Sequence, residues 1–271
     1  MTRDDGTQYD DRVGEQCHPK PAVGLRVVNA RLAFSGTPLF ENLSAEFAGG
    51  QWTCILGPSG VGKSTLLRMI AGLGQTDPAT DIAASDGSAL DQRIAWMAQQ
   101  DLLLPWLSVS QNVALGNKLR GETTDRARVA SLLFDVGLNE RHEALPAALS
   151  GGQRQRVALA RTLMEGRPVV LMDEPFSAVD AITRARLQEL AARLLRGRTV
   201  LHVTHDPLEA LRLGHRIHVM AGRPAQLGTV IEPPGETPRD PTDPALRELH
   251  GALLAQLGEA AADETSNGAE Q

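Results

Sequence analysis

The stretch that decides the fold is Gly57-Pro58-Ser59-Gly60-Val61-Gly62-Lys63-Ser64-Thr65. It follows an apolar run at 52–56 and precedes a helical pattern, so the sequence predicts a tight turn from a strand into a helix. The glycines let successive backbone N–H groups curl around phosphate oxygens, and the N-terminus of the helix adds partial positive charge. Lys63 supplies a point charge for phosphate, and the Ser64 hydroxyl can ligate Mg²⁺. Residues 57–65, hereafter the phosphate loop, therefore predict a bound nucleotide.

Short apolar runs alternate with helical patterns on both sides of this loop. The strand candidates are residues 25–34, 52–56, 94–97, 169–172, 200–203 and 217–220. Helical patterns follow Gly62, Ser108, Thr124, Ser150, Ala181 and Pro207, and the stretch from about 107 to 150 has no convincing strand. Buried strands interleaved with helices predict an α/β fold, with a mostly parallel sheet covered on both faces. The chain has no internal repeat, which favours a single nucleotide domain.

The two ends of the chain differ from this pattern. Residues 1–24 and 258–271 are polar and lack periodicity, so we expect disordered tails there. Between them and the core, residues 244–257 place five leucines on one helical stripe. That stripe predicts a helix that lies on a membrane surface or, as we favour, one that closes the core.

Composition limits the class of protein. The 271 residues carry a net charge of −6, which resides in the two ends, so the body between them is neutral and offers no basic face for nucleic acid. The two cysteines, Cys17 and Cys54, cannot form a disulfide framework and favour a reducing compartment. The sequence has no signal-peptide pattern and no apolar run near the ~20 residues that span a bilayer. We therefore expect a cytosolic protein, or one bound peripherally to a membrane.

Two acidic residues end one of the predicted strands. Asp173 and Glu174 follow the apolar run that begins at Val169. Ligands bind at the carboxyl ends of the strands in such sheets, where Asp173 is placed to hold Mg²⁺. Glu174 is placed to orient or deprotonate an attacking water. A solvated strand end is the alternative, which the nearby phosphate loop disfavours.

A second candidate anion site precedes another helix. Ser150, Gly151, Gly152 and Gln153 open a helical pattern that runs to Met164, with Ser150 as its cap. The accessible backbone N–H groups of the glycines suit an anion, although an ordinary glycine-containing cap is the alternative. One chain with two phosphate-binding devices and one triphosphate suggests a head-to-tail dimer. Each nucleotide would then be clamped between two copies of the chain.

The phosphate loop, residues 149–153 and Asp173-Glu174, in this order and spacing, resemble the ATP-binding cassette (ABC) family over roughly residues 25–230. The resemblance implies a P-loop NTPase core with a mostly parallel sheet, an antiparallel β subdomain and an α-helical insertion. It implies one ATPase domain over residues 25–257, with its helical subdomain at about 100–165. ATP and Mg²⁺ would be the cofactors, with Mg²⁺ near Ser64, Gln99 and Asp173.

The resemblance also implies roles for residues outside these motifs. Phe34 corresponds to an aromatic residue that stacks on adenine, although a core position in a strand is equally compatible with the sequence alone. Gln99 corresponds to the glutamine that senses Mg²⁺ and the attacking water, and His205 to the histidine that hydrogen-bonds the γ-phosphate. Asp180 corresponds to an aspartate that contacts the opposite subunit, although Val179 replaces the leucine usual before it.

Residues 101–107 carry much apolar surface around Pro105, shortly after Gln99, which predicts a socket for a permease helix. Ordinary inward packing of Leu102 and Leu104 is the alternative, and both can hold together. Residues 103–107 and 221–224 resemble importers of nitrate, sulfonate, taurine and thiamine-precursor pyrimidines, and residues 97–101 most resemble the hydroxymethylpyrimidine subgroup. The implied partners are a second copy, transmembrane permease subunits and, through the permease, an external solute-binding protein. The implied location is the cytoplasmic face of the membrane. The alternatives are a non-transport ABC ATPase of DNA repair or translation, and an unrelated P-loop kinase.

Overall fold

The computed structural model describes residues 22–74 and 76–268. The strands are β1 (Leu25–Phe34), β2 (Thr37–Phe47), β3 (Trp52–Leu56), β4 (Asp81–Ala84), β5 (Ile94–Met97), β6 (Val169–Asp173), β7 (Thr199–Val203), β8 (Arg216–Ala221) and β9 (Gln226–Leu227). The α-helices are α1 (Lys63–Ile70), α2 (Val109–Val113), α3 (Leu115–Leu119), α4 (Arg126–Asp135), α5 (Gly151–Met164), α6 (Ala181–Leu194), α7 (Pro207–Leu213) and α8 (Pro244–Gly268). Two short 3₁₀ turns, Asn139–Arg141 and Pro146–Ala148, precede α5.

The main sheet has the strand order β5-β6-β7-β3-β8-β9 and is parallel except at β9, which confirms the predicted fold class. Its central strands alternate between two cores, because successive side chains point to opposite faces. In β3, Cys54 and Leu56 pack with α5 to α8, whereas Ile55 faces α1. Burial on both faces explains why these strands appear in the sequence as continuous apolar runs.

A second, antiparallel sheet of order β2-β1-β4 covers α1 on the other side. The hairpin between β1 and β2 turns at Ser35 and Gly36, which both have positive φ, the geometry typical of two-residue hairpins. The strand candidates omitted β2, β4 and β9. In β2, Pro38, Glu41 and Asn42 interrupt the apolar pattern, and only part of the strand is buried.

Residues 100–165, the predicted helical subdomain, contain α2 to α5 and the two 3₁₀ turns. Val113, Leu133 and Val157 lie in a third core that these helices share. Helix α4 begins one residue later than expected, because Asp125 caps it by accepting from the N–H of Arg128.

The chain ends differ from the expected disordered tails. Val23 is bound to the main sheet, since its carbonyl accepts a 2.6 Å hydrogen bond from Thr199 Oγ1. Helix α8 packs on α7 and β8 through Leu246 and Leu253, as the leucine stripe predicted. It continues to Gly268, so the structure corrects the predicted tail at 258–268. Strong helix formers such as Ala260 extend the helix there despite the polar composition. Residues 1–21 and 269–271 of the predicted tails lie outside the described residues.

Within residues 22–74 and 76–268, no helix combines the length and apolar character that crossing a membrane requires.

Candidate functional site

The phosphate loop joins β3 to α1. Gly62 precedes α1 with a φ of 110°, and a Cβ at this position would lie 3.0 Å from the ring of Phe40. Glycine is therefore required both by the backbone conformation and by the close approach of β2. No side chain caps α1 at Gly62, so the first N–H groups of the helix face the loop as donors for an anion.

Lys63 lies inside the curve of this loop. Its ammonium group donates 2.7 Å hydrogen bonds to the carbonyl oxygens of Gly57 and Pro58, and the side chain is buried. Backbone carbonyls that hold the ammonium in place fix a positive charge beside the N-terminus of α1. The loop therefore combines oriented N–H groups with a fixed cation, which suits a polyphosphate.

Ser64 and Asp173 bring together α1 and the end of β6. Ser64 Oγ donates a 2.7 Å hydrogen bond to Asp173 Oδ1, although 109 positions separate the two residues in the chain. Asp173 is buried, and a hydroxyl beside a carboxylate is a pair of oxygen ligands of the type that Mg²⁺ prefers. The two residues predicted to hold the metal from these elements are therefore adjacent.

Glu174 lies between the two other residues predicted to act in catalysis. Its Oε2 accepts from Gln99 Nε2 at 3.2 Å and lies 3.1 Å from His205 Nδ1. The three residues follow β6, β5 and β7, which are neighbours in the sheet and end at the same edge. The structure therefore assembles Gln99, Glu174 and His205 into one group.

The backbone at Glu174 is held in an uncommon conformation. Its φ is 45°, in the left-handed region that costs a non-glycine residue free energy. Its N–H donates to the carbonyl of Val203, and its carbonyl accepts a 3.0 Å hydrogen bond from Ser177 Oγ. These contacts offset the strain and fix the position of the carboxylate.

The predicted second anion segment begins α5. Ser150 and Gln153 form a reciprocal capping box, in which each side chain accepts from the other residue's backbone N–H. A Cβ on Gly152 would lie 2.5 Å from Thr183 Cγ2, so glycine allows α5 to approach the first turn of α6. Ser150 is exposed, and Gly151 and Gly152 are half-buried, so this helix N-terminus is accessible.

Asp180 caps the neighbouring helix α6, since its Oδ1 accepts a 3.0 Å hydrogen bond from the N–H of Thr183. Hydrogen bonds from the side chain and backbone of Thr183 hold the pKa of the Asp180 carboxyl below its ordinary value. The residue therefore keeps its charge at neutral pH. The N-termini of α5 and α6, with Ser150 and Asp180, lie side by side.

Phe34 lies at the tip of the β1–β2 hairpin, with 59% of its surface exposed. The structure thus excludes the alternative of a core phenylalanine. An exposed ring beside the two-residue turn of the hairpin is available to stack on a flat ligand.

Three residues on α5 were missed by the sequence reasoning. Arg154 Nε donates to Asp101 Oδ2 at 3.0 Å, and Gln155 Nε2 donates to the carbonyl of Gln99 at 3.2 Å. Arg161 donates to the carbonyls of Asp101 and Leu102. The helix that begins at Ser150 therefore also holds the segment after Gln99. The only signal in the sequence was the spacing of the two arginines, which places them two turns apart on one face.

Comparisons with known proteins agree with this geometry. A family model described as "ABC transporter" matches residues 40–177. An uncharacterized ABC transporter ATP-binding protein of Haemophilus influenzae is 45% identical over 244 residues, covering 86% of this chain and 98% of that protein. The aliphatic sulfonates import ATP-binding protein SsuB 1 of Pseudomonas syringae pv. syringae is 41% identical over 244 residues, covering 89% of this chain and 98% of that protein.

Among solved structures, cbiO1 from Clostridium perfringens, part of the ABC transporter complex cbiONQ, superposes with a TM-score of 0.69. The superposition covers 79% of this chain and 89% of the cbiO1 chain. The sequence identity is 24%, so this likeness supports a shared fold alone. The family model and the sequence relatives support more than the fold, because they are similar in sequence and their matches include the phosphate loop, Asp173 and Glu174. The chain therefore belongs to the ABC transporter family, as an ATP-binding protein.

Proposed function

We propose that this chain hydrolyses MgATP between two copies of itself and thereby energises an import complex for a small solute. The observation that carries the proposal is the Glu174 carboxylate, held between Gln99 and His205 at the edge of the sheet that also bears the phosphate loop. An ATP-binding protein without turnover would have no need of a strained carboxylate at that point.

The residues present fit the nucleotide and its metal. Lys63, Ser64, Thr65 and the N–H groups of residues 57–62 would hold the phosphates, and Phe34 would stack on the adenine. Ser64 and Asp173, whose side-chain oxygens are 2.7 Å apart, would be oxygen ligands for Mg²⁺. When bound, the metal would neutralise charge that develops on the transferred phosphoryl group.

Glu174 is the residue that acts on the attacking water. Its carboxylate can accept a proton, and its contact with Gln99 Nε2 leaves other acceptor positions for a water. His205 is largely exposed and contacts Glu174 through Nδ1, which leaves Nε2 on the outer side of the ring to reach a γ-phosphate at the mouth of the loop.

A second copy supplies the other half of each site. Ser150, Gly151 and Gly152 form an accessible helix N-terminus, and the capping box leaves its remaining N–H groups for an anion. Gln153 is used within the box. In a head-to-tail dimer this N-terminus would close over the γ-phosphate bound by the partner, with Asp180 beside it.

The apolar segment 101–107 would dock a permease subunit on the cytoplasmic face of a membrane. Trp106 is 71% exposed, and Leu102 is also exposed. Arg161 of α5 holds the backbone of this segment, because it donates to the carbonyl of Leu102. Exposed large apolar side chains close together mark interaction sites. An external solute-binding protein would deliver the cargo to that permease.

For the cargo we propose a small organic sulfonate. The Pseudomonas syringae relative, 41% identical along almost its whole length, is named for the import of aliphatic sulfonates. The segment 97–101 had suggested a hydroxymethylpyrimidine instead. Uptake of labelled taurine, nitrate and pyrimidine precursors, measured in cells with and without this chain, separates these cargoes. Loss of taurine uptake without the chain would support a sulfonate, whereas loss of pyrimidine or nitrate uptake alone would contradict it.

The substitution Glu174→Gln tests hydrolysis. It keeps the size of the side chain and removes the proton acceptor, so we expect turnover to fall by about 10²-fold or more while ATP binding persists and a dimer accumulates. Glu189→Gln, on the exposed side of α6, is the matched control. Near-normal hydrolysis by the Glu174 variant would refute its assigned role.

Co-purification tests the transport assignment. A multispanning permease retained with the tagged chain supports it. Retention of ribosomes or DNA would instead support the non-transport class of ABC ATPase.

A further inference from the structure

A buried row of polar side chains lies behind the catalytic residues. Trp52 Nε1 donates to His202 Nδ1 at 3.2 Å, and His202 Nε2 lies 2.8 Å from Glu209 Oε1. On the other side, Gln188 Nε2 donates to Glu209 Oε2 at 2.8 Å, and Arg212 Nη1 donates to Gln188 Oε1 at 3.2 Å. His202 is 0% exposed and Glu209 is 4% exposed. These five residues, hereafter the Glu209 cluster, have no part in the functions described above.

The donors at the two ends fix the direction of every hydrogen bond in the Glu209 cluster. An indole N–H can only donate, so His202 Nδ1 accepts, and Nε2 is the ring nitrogen that carries hydrogen, 2.8 Å from Glu209 Oε1. A guanidinium can also only donate, so Gln188 presents its oxygen to Arg212 and its amide N–H to Glu209. Glu209 therefore faces a donor at each oxygen, and although burial raises the pKa of its carboxyl, His202 and the other hydrogen-bond partners lower it below the ordinary value.

The Glu209 cluster connects three segments that carry the active site. Glu209 lies in α7, which begins two residues after His205, and its Oε1 lies 2.8 Å from Nε2 of His202, in the strand that ends just before His205. Thr204 and Asp206, the residues on either side of His205, are also joined, because Thr204 Oγ1 accepts from the N–H of Asp206. The strand before His205 and the helix after it thus meet at one buried carboxyl group.

The other two segments meet the cluster through His202 and Gln188. The ring of Phe176, two residues after Glu174, packs edge-on against His202 with centroids 5.6 Å apart. Gln188 lies in α6, which begins at the Asp180 cap. Buried polar groups that contact one another at this junction fix the relative positions of the segments, because each contact would be costly to lose away from water.

We propose that Glu209 is a positioning residue for hydrolysis. It holds His205 at its contact with Glu174 and keeps both residues in fixed positions relative to Asp180. The inference rests on the proposed ATPase function. Glu209 is buried and contacts protein groups, so its effect is on turnover and is transmitted through His205.

The test is Glu209→Gln in the purified full-length chain. Glutamine has one acceptor oxygen in place of two, so its NH₂ group faces the N–H of His202 or of Gln188. Neither His202 nor Gln188 can turn an acceptor atom toward this NH₂ group, because Trp52 and Arg212 already donate to those acceptor atoms. We expect single-turnover ATP hydrolysis to slow by about tenfold or more, with the ATP dissociation constant unchanged within about twofold.

His205→Ala distinguishes positioning from a general loss of structure. If Glu209 acts through His205, the Glu209→Gln substitution should slow the residual hydrolysis of His205→Ala by less than about twofold. The same slowing with and without His205 would overturn the proposal.

Gln188→Ala is the second variant if Glu209→Gln does not fold. It removes one donor from Glu209 and should slow turnover in the same direction, again only when His205 is present. Wild-type turnover in both variants would overturn this inference alone, whereas a wild-type chain without any hydrolysis would overturn the proposed function and this inference with it. The exposed Glu189→Gln serves as the control throughout.

Discussion

Arg239 provides a sharp prediction about stability. The guanidinium is 7% exposed and donates to four backbone carbonyls, those of Pro233, Pro234, Leu211 and Gly214, at 2.7 to 2.9 Å. Leu211 and Gly214 are at the C-terminal end of α7, where a positive charge complements the helix dipole. One side chain thus joins the segment before α8 to the end of α7.

Replacing Arg239 by methionine keeps an apolar stem of similar length and removes all five N–H donors. Hydrogen bonds from a charged donor contribute about 1.5–3 kcal/mol each, but burial of the guanidinium offsets much of that stabilisation. Leaving a buried acceptor without its donor costs about 1–3 kcal/mol, and four carbonyls lose their donor together, so we expect a total loss of about 3–5 kcal/mol after partial relaxation. A domain is stable by only about 5–15 kcal/mol, so the loss is large.

Urea unfolding followed by circular dichroism measures this loss. We expect Arg239→Met to lower the free energy of unfolding by about 3–5 kcal/mol and the melting temperature by roughly 6–20 °C. Arg239→Lys keeps the charge but reaches fewer carbonyls, so it should lose about half as much. Arg196→Met, at an exposed position, is the control. A loss below about 0.5 kcal/mol for Arg239→Met would show that the four hydrogen bonds add nothing net.

Two further predictions concern the nucleotide. Lys63→Ala removes the cation held inside the phosphate loop and should raise the ATP dissociation constant by about tenfold or more, measured by isothermal titration calorimetry, whereas unchanged affinity would contradict its role. Phe34→Ala removes an exposed ring and should weaken ATP binding by about 2- to 12-fold, from a stacking contribution of about 0.5–1.5 kcal/mol, with the melting temperature unchanged. Equal binding of ATP and inorganic triphosphate by the wild-type chain would refute stacking by Phe34.

The parts of the fold that the sequence predicted are those whose signals are local. The strands β3, β6 and β7 are buried on both faces, so each appears as a short apolar run in its own right. The phosphate loop is likewise determined within nine residues. Strand β2, in contrast, has a single partly buried face interrupted by Pro38 and Asn42, and its identity depends on pairing with β1.

The grouping of the residues that we propose to be catalytic could be predicted only in part. That Glu174 lies at a sheet edge follows from the apolar run before it, but its two neighbours in the site depend on the strand order β5-β6-β7. The sequence does not state that order, and the expected roles of Gln99 and His205 came from the family resemblance. The contacts of 3.2 Å and 3.1 Å with Glu174 are what the structure adds.

The Glu209 cluster shows why long-range polar contacts escape sequence reasoning. Trp52 and His202 are 150 positions apart, and they meet because β3 lies directly beside β7 in the sheet. Only after that adjacency is known does the donor-only character of the Trp52 indole determine the tautomer of His202. That tautomer places a hydrogen on Nε2, which lies 2.8 Å from Glu209 Oε1. A carboxyl group that looks in the sequence like an ordinary residue of the first turn of a helix is therefore a buried contact between elements, and the order of the strands is the reason.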